Sequence, residues 1–531
     1  MKTYLPAGLT YLIILILGGM FVNAARAATC TVNTLSDVNT GSGGAGGSGD
    51  LRYCVTQANS NTGTDIIEIT VTGTITLNGS LPVITESLVI DAPGPGLLKI
   101  DGADRTGVTP FSINAPSGTT VNISDLTVMR GNSSNPNGGG IDLRGGGTLN
   151  LTNVTIDNNT TQAENGGGIA SSGSALNIFG CRIINNHMSA PGSAGGGISL
   201  FGGSLTMSGS LVKGNTLPNP DDIGGAGIQL FQVSSARIEG STVTGNINGN
   251  YGAGIHSNMS NLRMSNVTVS YNSGGVQAGG VSNVGGTAVL RNCTIAGNAV
   301  SRFGGGMYNV GNGAQVAIAN TIIAGNSAGQ QGSDFFNFAG LVRLGNNIIE
   351  TQVVNSGIIS GSGNIVNIDP GIRLPGDYGG PVPVQPLNVG SPARNAGDNA
   401  EALDTAGSPL LTDGRGAGYA RINDGAVDLG AFESPAAGSL LSISGRVGRE
   451  NNIVLRGKMQ VVMTNVDTLE KRFAAVNPFG YYRFFNVPYG TQFTVEVIGK
   501  RRTWVVIRSA AATDLNDFYI PYIPLSLQRE K

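Results

Sequence analysis

Gly166-Gly167-Gly168-Ile169, followed by Cys181-Arg182-Ile183-Ile184-Asn185-Asn186 and then by Gly195-Gly196-Gly197-Ile198, is one full period of a pattern that runs from about Gly138 to Asn326. The glycine-led aliphatic position recurs at Ile141, Ile169, Ile198, Ile228, Ile255, Val281 and Met307, advancing by 28, 29, 30, 27, 26 and 26 residues. A period in this range marks a stacked repeat in which each unit buries its apolar side chains against the next. Within a unit the apolar residues alternate and are largely β-branched, as in Ala175-Leu176-Asn177-Ile178, which specifies strand rather than helix. Three short strands joined by bends describe one triangular coil. The expected fold is therefore all-β, a parallel β-helix (a solenoid) rising roughly 4.8 Å per coil.

The bends carry their own signature. Glycine supplies a positive φ or a close backbone approach there, and an asparagine closes each second motif, at Asn159, Asn186, Asn215, Asn246, Asn272, Asn298 and Asn326. An amide at the same bend of every coil bonds the amides above and below, so a ladder is expected in place of seven separate turn residues. Thr155, Thr242, Thr268 and Thr294 fall between the two aliphatic positions and are expected to form an outward threonine ladder.

The pairing of Gly-Gly-aliphatic with aliphatic-x-x-Asn resembles the repeats of polymorphic outer-membrane proteins and related bacterial β-helices of the pectate-lyase-like superfamily, and the resemblance implies a right-handed parallel β-helix. Asp369-Pro370, Tyr378-Gly379-Gly380-Pro381, Asp413-Gly414-Arg415-Gly416 and Asp428-Leu429-Gly430-Ala431-Phe432-Glu433 follow in an order similar to the choice-of-anchor-like tail of the same group. That tail, residues 347–433, is expected to close the helix. Its Asp413, Arg415, Arg421, Asp424, Asp428 and Glu433 read as an ion-pair network, with a metal site as the alternative.

Residues 1–27 have the layout of a secretory signal: Lys2, an apolar run from Tyr11 to Met20, and the small-x-small end Ala25-Arg26-Ala27. Export to the cell surface or the exterior is expected, and no later stretch approaches the ~20 apolar residues of a membrane span. Residues 28–64 read as an N-terminal cap. Its segment from Gly49 to Asn59 is a short amphipathic helix with Leu51, Cys54, Val55 and Ala58 on one face, resembling the opening segment of bacterial β-helix surface proteins. Of four cysteines, Cys30 and Cys54 are expected to pair in an oxidising compartment. Cys181 and Cys293 share an inward slot four coils apart, too far to bond, and read as buried small hydrophobes.

Residues 434–438 have linker composition, and from Ser439 onward the character changes, with 13 Lys/Arg against 7 Asp/Glu where residues 28–438 hold 16 against 26. The segment 439–531 alternates as strands do, and Ile443-Ser444-Gly445-Arg446-Val447 with Gly480-Tyr481-Tyr482-Arg483-Phe484 resembles the carboxypeptidase-regulatory-like β-sandwich.

The resemblance implies two functions. One is a structural or adhesive β-helix at the cell surface, with polysaccharide or cell-surface components as partners; the other is a polysaccharide lyase or glycoside hydrolase on the same fold. A lyase needs clustered carboxylates to hold Ca²⁺ and a base for the α-proton, and a hydrolase needs paired carboxylates on one face. The sequence offers Asp157, Arg182 and Lys213 in neighbouring outward columns as candidate catalytic residues, with a solvated charge cluster as the competing reading. Asp221 and Asp222, in a longer loop after Pro218 and Pro220, are candidates for binding a ligand or calcium. No cofactor is expected apart from that calcium, and no resident metal. A monomer is expected, and the scarcity of Lys/Arg stripes argues against a nucleic-acid surface.

Overall fold

The computed structural model describes residues 27–38, 45–134, 138–162, 165–190, 194–219, 224–338, 341–351, 354–355, 358–436, 439–448, 459–466, 468–477, 481–488, 492–499, 502–504, 509–511 and 518–521. The signal segment, apart from Ala27, and the Asp221-Asp222 pair lie outside them.

One coil shows how the repeat works. Strand Ile169–Ser172 turns through Gly173-Ser174 into Ala175–Phe179, which turns through Gly180-Cys181 into Arg182–Ile184. Asn185-Asn186 then leads into the two-residue strand His187–Met188 and a longer connection back to Ile198–Phe201. Stacked, these strands build parallel sheets of 10, 13 and 12 strands, called here the first, second and third sheets in chain order. The expected inward stack is present: Ile141 pairs with Ile169, which pairs with Ile198, and the register continues through Ile228, Ile255, Val281 and Met307. Phe111 and Phe335 extend it at either end, and every member is fully buried. Each such side chain contributes roughly 1.5–3 kcal/mol on burial, beside the backbone ladders that join one coil to the next.

At the N-terminal end, helix Leu51–Ser60 buries Leu51, Cys54, Val55 and Ala58, and Asp50 caps it by accepting from Tyr53 N at 2.7 Å. Cys30 and Cys54 form a disulfide that ties this helix to strand Thr29–Val32. The helix also buries Arg52, whose guanidinium grips Asp37 at 2.7 and 2.8 Å and donates to the carbonyls of Gly79 and Ser80. The helical spacing of apolar residues points to the helix but not to this buried ion pair.

The C-terminal part of the helix departs from expectation in position. Strands continue to Ile365–Val366, past the point where the repeat fades in sequence. Residues 381–431 then run back along the flank of earlier coils. Thr242 Oγ1 donates to Pro383 O, Ser265 Oγ to Leu403 O, and Asn266 Nδ2 to Thr412 O; Ala431 N donates to Thr294 Oγ1. Thr242, Thr268 and Thr294 do point outward, yet this segment buries them and they bond no threonine neighbour, while Thr155 stands apart in register with Thr127 and Arg182, so the expected threonine ladder is absent.

Beyond the linker, strands Leu440–Gly448, Tyr481–Pro488 and Phe518–Pro521 form one sheet, and Met459–Asn465, Lys471–Ala475, Gln492–Gly499, Arg502–Trp504 and Ser509–Ala511 another. Ile443, Tyr482, Phe484 and Val487 of the first meet Val461, Met463, Phe493 and Val495 of the second in one core, a small β-sandwich. Ser434, placed by composition in the linker, is buried, and its N–H is held by Asp428.

Candidate binding face

A three-sided coil has three outer faces, and two of them are covered over much of their length. On the first sheet the outward column Asp142, Ala170, Ser199, Gln229, His256, Ser282, Tyr308 and Phe336 is buried throughout, because the long third-bend connections fold over it. Gly225 N donates to Gln229 Oε1, the Tyr251 ring lies 5.5 Å from His256, and Ala278 and Phe303 pack on Tyr308 and Phe336. Burial pushes the His256 imidazole down to about 3, so it is neutral, with Nδ1 3.1 Å from Ser282 Oγ. The third sheet is covered by residues 381–431 from Thr242 onward.

The second sheet keeps its central outward column open, and the tail reaches only its edge, where Ser265 is buried under Leu403. Its central outward column reads Asn122, Asn150, Asn177, Thr206, Arg237, Arg263, Val289 and Ala317, each in register with the next. The amides chain together, Asn150 Nδ2 donating to Asn122 Oδ1 at 2.7 Å and Asn177 Nδ2 to Asn150 Oδ1 at 2.8 Å. Arg237 and Arg263 then stand side by side on adjacent coils, an arrangement that costs energy between like charges. Among the described residues neither forms an ion pair or a hydrogen bond. One coil further, small residues open a cleft of about 310 Å³ floored by Val289, Ala317, Ala319 and Gly345. Its wall is Arg291 Nε bonded to Glu401 Oε2 at 2.8 Å. Two planar guanidiniums free to bond in forked pairs, beside a shelf of amides and a shallow apolar floor, suit a ligand rich in hydroxyls and carrying acid groups.

The residues that the sequence put forward fall elsewhere. Asp157, Ile184 and Lys213 share one column of the third sheet and Arg182 the column beside it, upstream of the covered part. The Asp157 carboxylate accepts from Asn185 Nδ2 at 3.1 Å, and no ion pair joins it to Arg182 or Lys213. Among the described residues no group of three or more His, Cys, Asp or Glu side chains is arranged to hold a metal ion.

The asparagines are brought together. Each of Asn159, Asn186, Asn215, Asn246, Asn272 and Asn298 donates from Nδ2 to the Oδ1 of the next at 2.8–3.0 Å. Each Nδ2 also donates to a backbone carbonyl of the preceding coil, Val212 O for Asn246, and each Oδ1 from Asn186 to Asn326 also accepts the backbone N–H of the asparagine before it, while that of Asn159 accepts from Gly131 N. The third glycine of each cluster belongs to this chain: a Cβ on Gly197, Gly227 or Gly254 would stand 2.9–3.0 Å from the ladder's Nδ2 and closer still to the next coil's backbone. Those glycines have ordinary φ, so close approach, not turn geometry, demands them.

Asp334, one residue before Phe335, occupies the third-glycine position of a later coil and ends the ladder. Its Oδ1 accepts from Asn326 Nδ2 at 2.9 Å, and its Oδ2 accepts from Thr351 N and Oγ1. The break of Gly-Gly-Gly into Gly332-Ser333-Asp334 was the signal available in the sequence.

Cys181 and Cys293 are buried and unbonded to each other, but they are not mere hydrophobes. They occupy the bend that Ser210, Ser241 and Thr321 occupy in other coils, and like those hydroxyls each thiol donates to the carbonyl two residues back. Burial pushes the thiols up to about 11 and about 12, which leaves both protonated and inert.

The charged cluster of the tail is a buried network. Arg415 pairs with Asp413 at 2.7 Å and lies between the rings of Tyr419 and Phe432, 3.9 and 4.0 Å from their centroids. Arg421 approaches Glu433 at 3.7 Å and donates to Asp428 O, while Asp424 pairs with Arg394 at 3.5 Å. Burial pushes Glu433 up to about 8, against the pull of Arg421.

No protein-family model, no curated protein and no solved structure matches this chain.

Proposed function

We propose that the protein is an exported structural and adhesive β-helix that presents its second sheet to acidic polysaccharide of a cell surface. The observation that carries this reading is the unpaired Arg237–Arg263 couple on the one long face left uncovered among the described residues. Glu239 acts on Arg237 through space without forming an ion pair with it, and the two in-register like charges leave guanidinium donors open to the anions of a ligand. The strand spacing supports the same reading, since the register repeats every ~4.8 Å and matches a linear polymer better than a compact ligand. A fold class common to many activities does not by itself assign chemistry.

The test is binding of the full mature chain to soluble acidic and neutral polysaccharides by calorimetry. Replacing Arg237 and Arg263 by Ser should weaken acidic-polymer binding ~10-fold or more and flatten its salt dependence, as expected for lost charge-assisted bonds. Unchanged binding in the double variant, or release of unsaturated uronides or reducing ends by the wild type, would overturn the reading; the second result would install the lyase or hydrolase in its place.

A further inference from the structure

Strand Thr29–Val32 starts the second sheet at its N-terminal edge, pairing with Asp65–Ile69. Just before it, Ala28 N donates to Asp65 Oδ1 at 2.7 Å and Ala28 O accepts from Ile66 N at 2.9 Å. Asp65 is 2% exposed, and its other carboxylate oxygen, Oδ2, has no partner. A buried carboxylate with one oxygen unsatisfied is costly, and a peptide nitrogen offers it only a single donor. The same atoms line a cleft of about 260 Å³ together with Cys30, Cys54 and Gln57, while Ala27 and Ala28 themselves are exposed.

We infer that Asp65 is the receptor for a new N-terminus: cleavage between Ala27 and Ala28 turns the Ala28 nitrogen into an ammonium that ion-pairs with the buried carboxylate. The inference rests on the export reading and on the small-x-small ending Ala25-Arg26-Ala27. In the step, a signal peptidase adds water across the Ala27–Ala28 amide. The carbonyl carbon leaves as the Ala27 carboxylate; the nitrogen keeps the electron pair of the broken C–N bond and takes up protons to become the ammonium. An ammonium carries three donors, so a nitrogen already in place at Oδ1 gains the means to satisfy Oδ2 as well. Two residues on, the Cys30–Cys54 disulfide holds the same strand to the cap helix. Removal of the leader thus tightens the end of the solenoid, and the precursor carries a looser cap than the mature chain.

The experiment compares full-length mature chains, residues 28–531, freed from a cleavable tag so that Ala28 is the first residue. A second form carries one extra glycine before Ala28, and a third is acetylated at Ala28 N, which keeps an N–H and removes the charge. Asp65→Asn is made in each, and amide exchange over Cys30–Val32 is read together with the rate of reduction of the disulfide by a small thiol. In the chain that starts at Ala28 the substitution should speed both by ~10-fold or more; in the extended and acetylated chains it should change them less than about twofold, because no ion pair is there to lose. Equal effects in all three forms would overturn the inference and make Asp65 an ordinary buried acceptor. Protein secreted by a bacterial host should begin at Ala28. A different terminus would overturn the processing step and the export reading, while the comparison of tag-freed chains judges the receptor by itself.

Discussion

Asn246 lies mid-ladder, fully buried, with its Oδ1 serving Asn215 and its Nδ2 serving Asn272 and Val212 O. Asn246→Ala therefore removes one amide and strands partners on both sides. At about 1 kcal/mol for a net hydrogen bond and ~1–3 kcal/mol for each stranded group, the local loss should be roughly 2–4 kcal/mol, seen as faster amide exchange in the coils on either side. Loss of protection no greater than at an exposed asparagine would contradict it. The far end of the chain is not a weak spot, because Asp334 meets four donors and offers only acceptors. Asp334→Asn turns one acceptor into a donor facing Thr351 and should cost about 1–3 kcal/mol by the same measurement, with Asp334→Ala costing no less. At this scale the sequence was legible where a residue repeats in register, as the asparagines do. It was silent where a residue acts once, as Asp334 and Arg52 do, and it misjudged Thr242, Thr268 and Thr294 because alternation says which side of a strand faces out but not what lies over it.

The segment 381–431 shows the same limit for an element. Its contacts with the coils join residues far apart in the chain, Thr242 with Pro383, Asn266 with Thr412 and Asn320 with Asp398, and no local pattern encodes them. What was legible was the cluster of opposite charges within Asp413–Glu433, close enough in sequence to find one another. Glu433 makes the pH response of this element predictable. Burial, helped by the Asp428 carboxylate, raises its folded pKa from 4.5 to about 8, outweighing Arg421 and the N–H groups of Asn423 and Asp428 that pull the other way. The folded segment thus binds the proton more tightly than the unfolded one. The stability this lends is complete below about pH 4.5 and is lost as pH rises through about 8. Amide exchange in 381–431, corrected for its intrinsic pH dependence, should show easier opening at pH 9 than at pH 6, and Glu433→Gln should flatten that slope. A segment that opens more readily at the lower pH would contradict the assignment.

At the scale of the whole chain, the helix turns a short repeat into three long faces and spends two of them on its own loops and tail. The repeat period and strand alternation made the solenoid legible, while the C-terminal segment showed strands by alternation and a sandwich only by resemblance. The open face was not, since Arg237 and Arg263 are 26 residues apart and align only once the register of the strands is known. Single cysteines report on this arrangement cleanly, because Cys181 and Cys293 are buried and held protonated. The decisive measurement places one cysteine on each face, Asn261→Cys on the second sheet, Ser199→Cys on the first and Thr268→Cys on the third, and follows thiol labelling with and without acidic polysaccharide. Asn261 is exposed whereas Ser199 and Thr268 are buried, so the cysteine at 261 should label fast alone and slowly with polymer, and the other two slowly in both. Fast labelling at 199 or 268, or labelling at 261 that the polymer leaves unchanged, would contradict a helix that keeps its second sheet free for a ligand.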